Sequence, residues 1–280
     1  MKEKLHILLV PNPARDLNLS VTGAVAEHLR YLNVELRCTE PLSGVESVSV
    51  SDGAEWANLA IVFGGDGTIL RFSRQIVGRD LPILGINCGN LGYMAELNGE
   101  TPEMLQRLVN GDYYVEERMM LTARVIRDGE EVLRSDCLND AVVSYGQLPH
   151  LVSFRLFERG IPFASYNADG MIFATPTGST AYSLSAGGPI LDPLLRAIIA
   201  TPVCAHSLTA RPMVFSAEAD LSLTVGSQKK GEAYLTLDGE ENFLLRTEDE
   251  IRISVSQVIT KLIRLSHAPF GSVLALKLNQ

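Results

Sequence analysis

A largely apolar run, Ala57–Phe63, ends abruptly in Gly64-Gly65-Asp66-Gly67-Thr68, and apolar residues at helical spacing resume at Ile69. A strand that feeds through glycines into a helix is half of a strand–helix–strand unit, which commits this part of the chain to a parallel sheet. The rest of the first third repeats the alternation. Leu5–Val10 reads as a strand closed by Pro11-Asn12-Pro13, and a helix follows with Val21, Val25, Leu29 and Leu32 three and four residues apart. Val34–Cys38 and Leu81–Asn87 read as strands, and Ile69 to Val77 as a helix. Thr101 to Val109 reads as a capped helix, with Thr101 as N-cap, Pro102 at the first position, and Met104, Leu105 and Leu108 on one face. The expected fold class is an α/β amino-terminal domain with a doubly wound parallel sheet.

Past residue 112 the texture changes. Leu121–Arg127, Glu131–Leu133, Ala141–Ser144, Leu151–Phe157 and Ile161–Tyr166 are short strand-like runs, with Asp128-Gly129 and Arg159-Gly160 between them as hairpin turns. Met213–Phe215, Leu221–Val225, Ala233–Leu237 and Ile251–Val255 continue the pattern into a mostly antiparallel β carboxyl-terminal domain. One helix is expected after Gly178 and another over Leu194 to Ala200, and Val273–Leu278 reads as a strand. The boundary falls near residue 115, giving an α/β domain over 1–115 and a β-rich domain over 116–265. No internal repeat is present.

Composition narrows the function classes. Among 280 residues, 46% are hydrophobic and 20% charged, with a formal net charge of −9. A chain this acidic repels nucleic acid and anionic membranes, and no Lys/Arg run creates a local exception; Lys229 and Lys230 read as a solvated turn. Cys38, Cys88, Cys137 and Cys204 never form a Cys-x-x-Cys pair, which argues against a zinc knuckle or a disulfide framework, and most are expected to be small buried hydrophobes. Met1 to Val10 lacks the pattern of a signal peptide, and no stretch approaches the roughly 18 apolar residues of a membrane helix. A cytosolic protein is expected.

Three segments carry candidate chemistry. In Gly64-Gly65-Asp66-Gly67-Thr68 the glycines let backbone N–H groups approach an anion, and the positive end of the following helix favours phosphate. Gly64, Gly65, Gly67 and Thr68 are therefore candidate phosphate contacts. Asp66 repels such a ligand unless it handles a proton or a metal ion; otherwise the segment is a glycine-rich turn with Asp66 as a helix cap. No Gly-Lys-Ser/Thr follows, so this is not a Walker loop, and Gly85, Gly89 and Gly92 are spaced wrongly for a Rossmann fingerprint. The second segment, Asn87-Cys88-Gly89-Asn90-Leu91-Gly92-Tyr93, sits at the carboxyl end of an expected strand, where such sheets bind ligands, with asparagine amides suited to sugars and phosphates. It is equally an ordinary polar loop.

The third segment, from Asp169-Gly170 through Thr175-Pro176-Thr177-Gly178-Ser179-Thr180-Ala181-Tyr182-Ser183-Leu184-Ser185 to Gly188-Pro189-Ile190, concentrates hydroxyls and small residues. That makes poor core but a close wall for a flat polar ligand, with Tyr182 available to stack; a structural Ser/Thr turn is the alternative. Asn139 of Leu138-Asn139-Asp140 can offer a donor and an acceptor to a base edge, or form an Asx turn. Asp238-Gly239 is a ligand contact or a hairpin turn, and His206 reads as a satisfied structural histidine. Neither Gly-x-Ser-x-Gly nor His-Glu-x-x-His occurs.

Gly64–Thr68, the 87–93 stretch, Leu138–Asp140 and above all Thr175–Ile190 together resemble the NAD kinase family, in the family's order and over roughly residues 5 to 278. The Gly-Gly-Asp-Gly-Thr loop alone is shared with diacylglycerol and sphingosine kinases and more distantly with phosphofructokinases; the Thr175–Ile190 run is far more specific. The resemblance implies ATP-dependent phosphorylation of the 2′-hydroxyl of the adenosine ribose of NAD, dependence on Mg²⁺ or another divalent metal, a cleft between two domains, and a homodimer or homotetramer. It implies Asp66 as the catalytic residue and NAD contacts at Asp66, Gly67, Asn139, Asp140, Asp169, Thr180, Ala181, Tyr182 and Ser185, with the end of the chain returning to the first domain. Three positions depart from the family pattern: Asp140 stands where Glu is common, Asn167 where Arg is common, and Ala205 where Pro precedes His206. The alternatives are a lipid kinase sharing the glycine loop, which the Ser/Thr/Gly-rich wall disfavours, and a non-catalytic dinucleotide sensor.

Overall fold

The computed structural model describes residues 4–89, 92–99, 101–145, 152–207, 209–226 and 232–278. The chain divides into two compact units, Met1–Glu117 with Thr260–Gln280, and Arg118–Ile259.

In chain order the first unit contains β1 (His6–Pro11), α1 (Ser20–Tyr31), β2 (Glu35–Cys38), β3 (Glu46–Ser47), α2 (Val50–Trp56), β4 (Leu59–Phe63), α3 (Asp66–Gln75), β5 (Ile83–Asn87), β6 (Leu97–Asn98) and α4 (Pro102–Asn110). Its strands run parallel in the order β3-β2-β1-β4-β5, and β6 pairs with β5. Strands β4 and β5 are buried along their whole length, as expected of strands covered on both faces. Their side chains pack with Ile7 and Leu9 of β1, Val25 and Leu29 of α1, and Leu105 and Leu108 of α4. The buried Asp16 carboxylate opens α1 by accepting the N–H groups of Val21 and Thr22, each at 2.9 Å. Thr101 does precede α4, with Pro102 in its first turn, yet its side chain makes no capping bond; α3 starts at Asp66 and ends at Gln75, earlier at both ends than expected.

The second unit is built from β7 (Tyr114–Arg127), β8 (Glu130–Cys137), β9 (Asp140–Tyr145), β10 (Val152–Glu158), β11 (Ile161–Ala168), β12 (Gly170–Ala174), the short helix α5 (Tyr182–Ser185), β13 (Ala197–Val203), β14 (Met213–Ser216), β15 (Leu221–Val225), β16 (Ala233–Leu237), β17 (Glu241–Leu245) and β18 (Glu250–Arg264). Strands β7 and β18 start in one unit and end in the other. One antiparallel sheet runs β14-β13-β12-β9-β16-β17. The other runs β11-β10-β15-β18, with β7 pairing to β18 and β8. Phe154, Leu223 and Ile253 from one sheet and Val143, Phe173 and Leu235 from the other share one core. The outer face of the six-stranded sheet is covered too: Val142, Ile172 and Ile199 pack under Ala186 and Leu191, beyond α5. Both expected hairpins form, with Asp128-Gly129 and Arg159-Gly160 at positive φ, the geometry that matches strand twist.

The α/β plus antiparallel-β class stands, with two elements corrected. Leu194 to Ala200 is not a helix: Asp192 Oδ1 accepts the Leu194 N–H in a local turn, and Ala197–Val203 is strand β13. Val273–Leu278 is not a strand but belongs to α6 (Phe270–Leu278). The cysteines are all free, but only Cys38 and Cys137 are buried; Cys88 is half-buried and Cys204 exposed. Among the described residues no helix is long and apolar enough to cross a membrane.

Candidate active site

In the first unit the strand order reverses between β1 and β4, and ligands bind such sheets at the carboxyl ends of the strands flanking that point. Both ends are polar loops here. Gly64, at φ +152°, leaves β4 in a conformation side chains rarely adopt, and a Cβ there would overlap Thr68. Its N–H donates to Ile86 O of β5 at 2.9 Å, while Asn12, just past β1, donates from Nδ2 to Thr68 Oγ1 at 2.9 Å. Gly65 is the N-cap of α3, and a Cβ on the exposed Gly67 would meet nothing within 4 Å. The start of the helix thus presents N–H groups at the glycines, where no side chain stands in the way, while the Thr68 N–H turns back to Gly65 O at 2.9 Å.

Asp66 is not the helix cap. It lies in the first turn of α3, and its carboxylate reaches the second loop, where Oδ2 accepts the Tyr93 N–H at 2.6 Å and Oδ1 the Met94 N–H at 2.9 Å. A Cβ at position 92 would overlap that carboxylate, so Gly92 is needed for the approach. Each oxygen keeps a further lone pair. The loop is anchored from behind: Arg264 donates from Nη1 to Met94 O at 2.9 Å and from Nε to Glu116 at 2.8 Å, and Glu96 Oε1 accepts the Leu265 and Ser266 N–H groups at 2.9 and 2.7 Å. Burial, with the Asp66 charge adding to it, pushes the Tyr93 hydroxyl above its ordinary pKa, and Lys277 of α6 sits 4.9 Å from the centre of its ring. The Nδ2 group of the buried Asn87 is spent inside the loop, on Gly89 O at 2.5 Å and Asn98 Oδ1 at 3.1 Å, so its amide nitrogen is not a donor for a sugar or phosphate. Asn90 and Leu91 lie outside the described residues.

In the second unit, Leu138-Asn139-Asp140 turns into β9 against the Thr175–Gly178 segment leaving β12. Thr175 donates from Oγ1 to Leu138 O at 2.6 Å and accepts the Gly178 N–H at 3.0 Å. The Thr175 N–H reaches Asn139 O at 2.9 Å, and a Cβ on Gly178 would overlap the Asn139 backbone. Part of the hydroxyl-rich run is therefore structural after all. Thr175, Thr177, Ser179 and Ser183 are buried, Arg118 donates to Thr177 Oγ1 at 3.3 Å, and the Ser183 and Thr201 hydroxyls bond each other at 2.9 Å. What faces outward is the remainder: Tyr182, 46% exposed, exposed Ser185, and half-buried Thr180 and Ala181. Asn139 Oδ1 is buried without a hydrogen-bond partner, an acceptor that awaits a donor. Asp140 is buried, and desolvation, reinforced by the Asp238 charge, raises its carboxyl to about 7.

The structure thus brings Asn139 and Asp140 to the turn that leads into Thr180–Ser185. Asp169 is not among them: it precedes β12 while Ala174, which ends β12, pairs with Asp140, so half-buried Asp169 lies at the strand's other end. His206 is exposed, and its backbone N–H donates to Asn167 O at 2.9 Å. Sequence reading missed Asn12, whose signal was its position at the end of β1, and understated Asp238. That residue forms the β16–β17 hairpin, at φ +50°, and at the same time binds the turn before β9. Among the described residues no group of three or more His, Cys, Asp or Glu is placed to hold a metal ion.

Residues 23–113 match the family model for the ATP-NAD kinase N-terminal domain and residues 138–265 that for the ATP-NAD kinase C-terminal domain. An NAD kinase of Geobacter sulfurreducens is 39% identical over 247 residues, covering 88% of this chain and 87% of its own. One of Carboxydothermus hydrogenoformans is 41% identical over 237 residues, covering 84% of each. Yeast NADH kinase complexed with NADH shares the fold at a TM-score of 0.89 and 24% identity, over 99% of this chain and 89% of its own. An Archaeoglobus fulgidus NAD kinase in complex with ATP does so at 0.79 and 23%, over 97% and 98%.

Proposed function

The chain belongs to the NAD kinase family, and from that premise we infer how its residues divide the work. The reaction is transfer of the terminal phosphoryl group of ATP to the 2′-hydroxyl of the adenosine ribose of NAD, giving NADP and ADP. Phosphoryl transfer asks a protein for positioning and charge neutralisation more than for covalent chemistry. The N–H groups of Gly65 and Gly67 hold the donor phosphates; Gly64 and Thr68, whose own N–H groups bond Ile86 O and Gly65 O, shape the cradle around them, with Asn12 fixing the Thr68 hydroxyl. Asp66 accepts the proton of the attacking hydroxyl; the lone pairs left beside its bonds to Tyr93 and Met94 are free for this.

In the second unit Tyr182 stacks on the substrate, and Thr180, Ala181 and Ser185 line the same wall. Asn139 Oδ1 takes a donor from the nucleotide, and Asp140 accepts a ribose hydroxyl. Asp169 serves the far end of an elongated ligand. The donor set suits a divalent cation that arrives with ATP: Mg²⁺ is commonly held by one or two carboxylates plus substrate phosphates, and Asp66 is the carboxylate at the phosphate loop. When bound, the cation supplies charge neutralisation at the phosphoryl oxygens. The working form is a homodimer or homotetramer.

The observation that carries this reading is the Asp66 carboxylate held at the first turn of α3, at the sheet's reversal point. Incubation with NAD, ATP and Mg²⁺, followed by an NADP-specific dehydrogenase, tests it. NADP formation that requires all three reactants is expected; ADP release without NADP would overturn it.

A further inference from the structure

The Asp238-Gly239 turn has chemistry that a hairpin does not need. Both residues adopt positive φ, +50° and +72°, as the β16–β17 connection requires. Asparagine or glycine at position 238 would meet that requirement at no greater backbone cost. The aspartate is nonetheless buried, 8% exposed, and its carboxylate points across the sheet rather than into its own turn. Oδ2 accepts the Leu138 N–H at 2.9 Å, and Oδ1 accepts the N–H groups of Asn139 and Asp140 at 2.7 and 3.2 Å. Three successive backbone donors converging on one carboxylate form an anion-binding nest, occupied here by the protein's own side chain. The Asp238 N–H donates back to Asp140 O at 3.0 Å, so the two segments are locked in both directions.

We propose that Asp238 is a positioning residue for NAD recognition: by gathering the N–H groups of Leu138, Asn139 and Asp140 it holds the Asn139-Asp140 pair in the conformation that meets the nucleotide. The inference rests on the role given above to Asn139 and Asp140. Both backbone groups of Asn139 are fixed, its N–H by Asp238 and its O by Thr175, which sets where its buried, unpartnered Oδ1 is presented. The short Asp140 side chain likewise reaches only as far as its backbone places it. Asp238 also acts on Asp140 through charge. The strands beside β9 bring Ala174 of β12 opposite Asp140 and, just past β16, Asp238; the charged neighbour that acts on the Asp140 carboxyl is Asp238, which disfavours its ionisation.

The test is steady-state kinetics of the full chain, NAD and ATP varied separately across pH, for the natural protein, D238N and D140N, with calorimetric NAD binding and Tm alongside. D238N keeps the turn but removes the charge and turns one acceptor into a donor facing an N–H. It is expected to raise the KM for NAD about tenfold, by the ordinary worth of a charge-assisted bond, and to leave the KM for ATP within about twofold. In the natural protein kcat/KM for NAD is expected to fall as pH drops through neutrality, because burial and the Asp238 charge raise the Asp140 carboxyl to about 7. That fall is expected to move toward acid in D238N and to vanish in D140N. A lower Tm in D238N with both Michaelis constants and the pH profile unchanged would make Asp238 merely structural and overturn the proposal. If D238N does not fold, the natural protein and D140N decide: no fall through neutrality, or one that survives in a D140N whose KM for NAD is raised, overturns it. D140N without effect on NAD kinetics would instead sink the reading of the site on which the proposal rests.

Discussion

At the scale of single residues, Asp66 answers to two demands. Its oxygens hold the N–H groups of Tyr93 and Met94, and one of them must still take a proton. Asn at this place is the usual test of a base, yet its NH₂ would face one of those N–H groups, so Asp66→Asn also loosens the second loop. Gly92→Ala separates the effects, because its new Cβ displaces the carboxylate without changing its charge. If Asp66 is the base, Asp66→Asn lowers turnover about 10²- to 10⁴-fold, while NAD affinity by calorimetry moves only a few-fold. Gly92→Ala lowers turnover less and shifts Tm. Near-normal turnover in Asp66→Asn would leave the carboxylate as a clasp between loops. The aspartate's oddity among glycines was legible in the sequence, because a carboxylate beside a phosphate cradle needs a reason. Its partners were not, since backbone N–H groups carry no side-chain signature.

Among elements, what was legible followed the strength of the periodic signal. The amphipathic α1 and α4 announce one period over enough residues to decide it, whereas the fully buried β4 and β5, short runs without a period, were legible from the glycine-bearing polar segments that end them. The two elements read wrongly are short apolar runs, where period cannot discriminate. In β13, Ile198, Ile199 and Thr201 favour a strand by their β-branching, but Leu194 and Leu195 just before them pulled the reading toward a helix. In α6, Leu274, Ala275, Leu276 and Leu278 are good helix formers, and they follow a first turn closed by the Ser272 N–H on Pro269 O. Invisible from either run was the buried pair that ties Arg264, the last residue of β18, to the second loop. The Arg264 and Glu96 side chains are 9% and 7% exposed, and Arg264 also holds Glu116. Arg264→Met would leave both carboxylates buried without their cation, a loss of about 3–5 kcal/mol. At the few degrees per kcal/mol usual for domains of this size, Tm falls by roughly ten degrees. Turnover is expected to fall at temperatures where the protein is still folded, because the loop carrying the Tyr93 and Met94 N–H groups loses its support. A Tm drop with unchanged turnover well below it would show that the loop does not need Arg264.

For the molecule as a whole, the arithmetic of charge decides where cations must come from. The chain carries a net −9, and its phosphate loop, Gly64–Thr68, contains an aspartate and no Lys or Arg. Backbone N–H groups and the end of α3 offer partial charges only, equivalent to about half a unit at a helix terminus. A tri- or tetra-anionic donor beside Asp66 is then tolerable only if a cation enters with it. No cluster of three or more His, Cys, Asp or Glu among the described residues would retain one between turnovers. The metal is thus expected to bind as the nucleotide complex rather than as a resident. Two consequences separate these cases. Dialysed protein should contain well under one equivalent of divalent metal by elemental analysis, and at fixed total ATP the rate should follow the concentration of the Mg²⁺–ATP complex, levelling off once the nucleotide is fully complexed. Excess chelator should abolish turnover reversibly and leave calorimetric NAD binding and Tm unchanged, because the Asn139–Asp140 turn is held by Thr175 and Asp238 and needs no metal. A stoichiometric metal that survives dialysis, or a chelator-induced fall in Tm, would mean that the protein builds its own metal site. Turnover that continues in chelator would mean that the N–H groups of the loop neutralise the donor unaided.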